Sequence, residues 1–180
     1  TSGLSSDFAS NVIATDGGLV NAPIPVTRLR MFVGERAEIL VDLSKDAPGS
    51  SLDLQAFNGG QPFGFPGGEE AQSGDFGSLL NNKTFDVLHV NVAEKTAGAI
   101  EAVPAKLADN VYWTEADVTN SRTITITEMG PGTPFTFDNT AYDMDVVNQT
   151  VSLDAVEKWT IVNSKVFGHS FHIHDVQFKI

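Results

Sequence analysis

The sequence predicts an all-β fold of the sandwich or barrel type, and three observations carry that prediction. Its apolar runs are short and rich in Val, Ile, Thr and Phe, residues that fill a pleated, half-buried surface well. Gly, Pro, Asn and Asp stand between the runs, where turns need them. Sustained helical periodicity is absent: only residues 79–82 and 112–117 carry a turn or so of helix signal, too little for a stable isolated helix.

Residues 11–15 form the first expected strand, closed by the turn Asp16-Gly17-Gly18, and residues 26–32 the second. In residues 35–43, Ala37, Ile39, Val41 and Leu43 fall on one face, and Arg36, Glu38 and Asp42 on the other. Leu40 interrupts the polar side of what is otherwise a half-buried antiparallel strand. Residues 52–57 and 84–92 add two more; in the latter Phe85, Val87, His89 and Asn91 oppose Leu88, Val90 and Val92. Beyond Arg122, Thr123-Ile-Thr-Ile-Thr alternates strictly, and residues 134–138 read as a short hairpin arm. Residues 149–153, 157–163 and 170–180 complete the set. Alternation puts Ile39, Val41, Leu54, Ile124, Ile126, Trp159 and Ile161 inside.

Two stretches break the rhythm. Residues 58–82 hold Gly59, Gly60, Gly64, Gly67, Gly68, Gly74 and Gly77 and read as a surface loop, tacked down by Phe63, Phe65 and Phe76. Residues 95–120 have no period and read as an interdomain linker. Eleven Lys and Arg against 23 Asp and Glu leave a net charge of −12, which repels phosphate and argues against a nucleic-acid partner. Apolar runs fall well short of the roughly 20 residues a membrane-spanning helix needs. The chain contains no cysteine, which excludes disulfides, thiol nucleophiles and thiolate-bound metals built from its own residues.

Three of the four histidines lie within six residues, His169-Ser-Phe-His172-Ile-His174. On an extended strand His172 and His174 share a face about 7 Å apart along the backbone, while His169 has the opposite parity and follows Gly168. Two imidazoles on one side and a third aimed elsewhere suit two neighbouring metal centres better than one. Imidazole favours Cu, Zn, Ni and Fe over hard cations. On spacing alone a solvated surface cluster and a simple zinc site stay open beside copper, and Asp175 faces away from His174. A cupin-type site needs a Glu and another His downstream and is excluded by the six residues that follow. His89, alone within its run, reads as structural.

His169-Ser-Phe-His-Ile-His-Asp-Val-Gln-Phe178 resembles the H-P-F-H-I/L-H-x-x-x-F motif of the multicopper oxidases, the family of laccases, bilirubin oxidases and cuprous oxidases, with Ser170 where proline is usual. Pro134-Phe-Thr-Phe-Asp-Asn-Thr-Ala-Tyr-Asp-Met-Asp145 is similar to the family's F-x-I-N-G-x-x-Y/F-D-M hairpin, and Val156-Glu-Lys-Trp-Thr-Ile-Val-Asn163 to its V-E-x-W-x-I-x-N strand. Ile13-Ala-Thr-Asp-Gly-Gly-Leu19 and Gly34-Glu-Arg-Ala-Glu-Ile-Leu-Val-Asp42 resemble its I-A-x-D-G-G and P-G-E-R-x-E-V-L-V signatures. These matches run in family order over nearly the whole chain.

The resemblance implies cupredoxin-like Greek-key sandwiches and copper. His169 matches a ligand of the type 1 copper, His172 of the type 2 copper and His174 of a type 3 copper; Asp16, Gly17, Gly18, Glu35 and Arg36 match positions that shape the fold. It implies residues 1–95 as the C-terminal portion of a middle domain, 96–120 as a linker and 121–180 as the N-terminal portion of a third. The parent oxidase is expected to take electrons singly from a small reducing substrate (a phenol, a pigment or a metal ion) and reduce dioxygen to water, in the periplasm or outside the cell. The remaining segments of the same oxidase are its expected partners. The alternatives are a non-enzymatic module that holds copper or zinc, and a structural relative without metal. Met31, Met129 and Met144 are scattered and give a cuprous oxidase no support. The family's first-domain His-x-His motifs and its His-Cys-His segment are absent from these 180 residues, so the chain reads as a fragment. The 180-residue chain alone, loaded with copper, is therefore expected to show no turnover of a phenolic donor and no intense blue Cu–thiolate absorption. A blue, active preparation in visible spectroscopy and oxygen-uptake assays is the contrary result.

Overall fold

The computed structural model describes residues 2–3, 10–61, 67–68, 79–128, 135–165 and 168–180. Its strands are β1 (Ser2–Gly3), β2 (Ser10–Thr15), β3 (Gly18–Val26), β4 (Arg28–Leu29), β5 (Ala37–Val41), β6 (Ser51–Phe57), β7 (Thr84–Asn91), β8 (Asn120–Glu128), β9 (Phe135–Phe137) and β10 (Glu157–Asn163). A single 3-10 turn, Glu115–Asp117, is the helical content among the described residues. The fold is all-β. Two compact units divide it: Thr1–Asn110 with Ser170–Ile180, and Val111–His169.

In the first unit β2 lies between β3 and β5, antiparallel to both, and a second sheet runs β4-β1-β6-β7. The turn after β2 is built by side chains. The Asp16 carboxylate accepts the Arg36 backbone N–H at 3.1 Å and pairs with the Arg36 guanidinium at 3.0 Å. The Glu35 carboxylate accepts the Phe32 N–H at 2.8 Å, closing the bend in which Gly34 sits at φ +91°. The two short signatures around Asp16 and Glu35 thus fasten the β2–β3 hairpin to the entrance of β5. Val12 and Ala14 point into the core.

In the second unit β8 is central, parallel to β10 and antiparallel to β9. The register pairs Asn120 with Glu157, Arg122 with Trp159 and Ile124 with Ile161, so one face runs from a polar cap into an apolar core. Ile124 and Ile126 are 2 % and 5 % exposed. At the cap Arg122 donates to both Glu157 oxygens at 2.7 Å, and Trp159 Nε1 and Asn120 Nδ2 donate to the same carboxylate at 2.7 and 3.2 Å. The guanidinium lies over the Trp159 ring and reaches Gln149 Oε1 at 2.7 Å and the Thr150 carbonyl at 3.0 Å. After β9, Asp138 and Asn139 both have φ near +50° to +60°, as a tight type I′-like hairpin turn requires. Asp138 Oδ1 accepts the Thr125 N–H at 2.8 Å.

Four expected strands differ. The second runs over Gly18–Val26, and of residues 27–32 only Arg28–Leu29 lies in a strand. Pro23 and Pro25 signal a break, yet β3 is the edge of its sheet, where a missing N–H is tolerated. Residues 149–153 form no strand, because Arg122 takes Gln149 and Thr150 as acceptors. Residues 170–180 pair with no strand among the described residues. The polar ends of the expected 35–43 strand are drawn into the Asp16 and Glu35 turns, leaving Ala37–Val41. Ile39, Val41, Leu54, Trp159 and Ile161 are half-buried rather than fully enclosed. Phe63, Phe65 and Phe76, expected to tack down the glycine-rich loop, lie outside the described residues, as do Met129 and Pro134.

The Arg122 guanidinium, helped by Asn120 and Trp159, holds the Glu157 carboxyl at about 2, below its ordinary 4.5, with burial opposing the shift. A carboxyl depressed in the folded state contributes stability that is complete above pH 4.5 and lost as pH falls through about 2. Melting followed by Trp fluorescence is expected to fall steeply across that window, and Glu157→Gln is expected to lower the melting temperature at pH 7 and flatten the acid limb. An unchanged acid limb in the variant would assign the acid loss to other groups.

Candidate metal centre

The histidine-bearing segment is irregular, yet its side chains alternate. Phe171 and Ile173 are half-buried, and His172 and His174 are exposed between them. The two imidazoles meet, with ring centroids 4.8 Å apart and planes at 78°. Asp175 follows at φ +66°, a conformation that Asp adopts more readily than most residues, and it bends the chain directly after His174. The Phe171 and Phe178 rings close the segment edge to face at 6.0 Å.

His169 belongs to the other unit and has different surroundings. Ser164 Oγ donates to the Ile126 carbonyl at 3.2 Å and Lys165 Nζ stands 3.6 Å from Glu128, so the exit of β10 is tied to β8 shortly before His169. The His169 ring packs edge to face on Phe135 of β9 at 4.4 Å. Its Nε2 is buried and has no hydrogen-bond partner among the described residues. Phe135 is a contributor that sequence spacing does not reveal: it meets His169 through the fold, 34 residues away along the chain.

Each group of donors, taken within its own unit, fits part of a copper ligand set. Two solvent-open imidazoles face one another, and a third ring holds a buried nitrogen that lacks a partner. Among the described residues no three His, Cys, Asp or Glu side chains converge on one point, so a complete coordination sphere draws on further ligands. His89 is placed apart from these groups in the sequence and pairs with Asp53 across β6 and β7 at 2.5 Å. The Asp53 carboxylate raises the His89 imidazole above its ordinary 6.5, with smaller help from Asn91 and Asp86. It acts there as a cross-strand partner. An open cleft of about 410 Å³ in the second unit is lined by Thr119, Arg122, Thr150, Asp154 and Glu157 among others, and by no histidine.

Known proteins point the same way as the motifs. The profile of the family described as Multicopper oxidase matches residues 111–180. The cell division protein FtsP of Photorhabdus laumondii is 30 % identical over 173 residues, covering 94 % of this chain and 32 % of the relative. The bilirubin oxidase of Albifimbria verrucaria is 29 % identical over 186 residues, covering the whole of this chain and 30 % of the relative. The chain therefore spans about a third of the length of these relatives. Among solved structures, the laccase-like multicopper oxidase CueO from an Ochrobactrum species superposes with a TM-score of 0.67 at 21 % identity, over 91 % of this chain and 35 % of that one. That likeness identifies the fold as cupredoxin-like. With its signatures, the family profile over residues 111–180 and the fold in agreement, the chain is similar to the multicopper oxidases along its length.

Proposed function

We propose that this chain supplies copper-ligating histidines to an oxidase that works outside the cytoplasm, with His169 serving a type 1 copper, His172 the type 2 copper and His174 a type 3 copper. The observation that supports this most directly is the contrast between the facing His172 and His174 rings and the separately housed His169. Bound copper supplies one-electron redox chemistry, by which four single-electron oxidations of a small reducing substrate match the four electrons and four protons that turn dioxygen into two waters. The chain's own part is positioning. His172 and His174 present their imidazole rings on an open face, and the Phe135 ring packs edge to face on His169, whose Nε2 is buried. A thiolate for a type 1 site comes from outside these residues, which include no cysteine.

A second reading follows from the relative named a cell division protein: a cupredoxin-like module with a binding or structural role and no turnover. Three histidines at the family's spacing favour the oxidase reading, since a structural module has no need of them.

The two readings separate in the parent protein. His169→Ala is expected to remove the blue type 1 absorption and slow electron entry while copper stays at the cluster. His172→Ala or His174→Ala is expected to deplete cluster copper and abolish dioxygen reduction while the blue band survives. Copper analysis and visible spectra of the three variants test this. Loss of the same copper from His169→Ala and His174→Ala would replace two centres by one three-histidine site, and a parent without copper would favour the structural reading.

A further inference from the structure

The ladder between β2 and β3 has a gap. β3 pairs with β2 at Gly18 and Leu19 and again from Ile24 to Val26, while Val20, Asn21, Ala22 and Pro23 have no partner on β2. Residues 107–110 serve this stretch instead. Leu107 donates its N–H to the Asn21 carbonyl at 2.9 Å. The Asn21 side-chain amide, with both an acceptor and donors, then acts as a piece of backbone would. Its Oδ1 accepts the Asn110 N–H at 2.6 Å, and its Nδ2 donates to the Asn110 carbonyl at 3.0 Å. Asn110 adds a bond from its own side chain, Nδ2 donating to the Leu19 carbonyl at 2.7 Å. Leu107 and Ala108 are half-buried, and all of these residues belong to the first unit.

The far end of the expected 96–120 linker is fastened separately, within the second unit. The Asp117 carboxylate accepts the Thr114 N–H at 2.8 Å and its hydroxyl at 2.6 Å. Glu115 pairs with Lys158 of β10 at 2.6 Å, and the Thr119 N–H donates to the Val156 carbonyl at 2.8 Å. Between the two anchors stand Val111, Tyr112 and Trp113, all exposed. We propose that residues 107–110 are a strap that completes the unpaired stretch of β3, and that the conformational freedom of the segment between the units is confined to Val111-Tyr112-Trp113. The strap occupies backbone carbonyls that an open strand edge would offer to another chain.

Amide hydrogen exchange of the 180-residue chain, read residue by residue by nuclear magnetic resonance, tests both halves. The Leu107 and Asn110 amides are expected to be protected, and those of Val111 and Trp113 to exchange near the unprotected rate. Asn110→Ala removes only the bond to Leu19 and leaves the acceptors of both strap amides in place. It is expected to speed exchange at Leu107 and residue 110 together by about fivefold to thirtyfold, as the loss of one ordinary hydrogen bond does for a local opening. Asn21→Ala removes two bonds and is expected to speed exchange at Leu107 further, although the acceptor of that amide is the Asn21 backbone carbonyl. Chymotrypsin is expected to cut the folded wild type after Tyr112 or Trp113, and to cut after Leu107 only in the two variants. Protection in β2 and β5 is expected to stay unchanged. Protection of Leu107 that survives both substitutions, or an equal loss in β2 and β5, would overturn the strap. Wild-type protection at Val111 and Trp113 matching that at Leu107 would overturn the confinement.

Discussion

The second unit is organised around one buried ion pair. Arg122 is 18 % exposed at its side chain and Glu157 7 %, and each is saturated by the other and by its neighbours. A charge withdrawn from water this far needs several partners, because a lone ion pair regains little of its lost hydration. Here Arg122 directs Nε and both terminal nitrogens to Glu157, Gln149 and Thr150, while Glu157 also accepts from Asn120 and Trp159. The parallel β8–β10 register, the course of residues 149 and 150, and the lateral placement of Trp159 follow from one arrangement of donors. Displacing β10 by one residue against β8 would carry Glu157 to the opposite face and leave a buried guanidinium unpaired.

Family signatures turn out to be short statements of such chemistry. In Val156-Glu-Lys-Trp, the Glu and Trp two apart share a strand face, and that face meets Asn120 and Arg122 of β8. Asp16 and Arg36 are twenty residues apart and meet at one turn. Asp138-Asn139 stands where the family has Asn-Gly, and both residues tolerate the left-handed backbone of that turn. Each pattern is legible in the sequence as a resemblance, but the partner lies elsewhere in the chain, so its physical meaning needs the fold.

What alternation alone revealed was the strands with both a clear period and a neighbour to pair with. Residues 157–163 coincide with β10, and Thr123-Ile-Thr-Ile-Thr lies wholly within β8. Residues 170–174 keep the alternation with no ladder partner among the described residues, since alternation of side chains is a property of extended backbone and not of a ladder, whereas residues 175–180 are all exposed. The pairing of His172 with His174 was legible for the same reason: residues two apart on extended chain share a side. The neighbour Phe135 of His169 was not, because nothing local in the sequence marks a contact made 34 residues away.

The parallel pairing of β8 and β10 also bears on how the second unit reaches its fold. β8 and β9 are joined by a short connection and can meet early, as hairpins form in microseconds. Arg122 and Glu157 are 35 residues apart, and their union must first overcome the entropy of closing that long loop. Closing that ion pair therefore costs more chain entropy than closing the β8–β9 hairpin, and until β10 docks one edge of β8 carries unpaired backbone groups. During that interval the nascent chain is most open to pairing with another molecule along the free edge of β8. The same ion pair that specifies the finished register leaves the growing one unguarded.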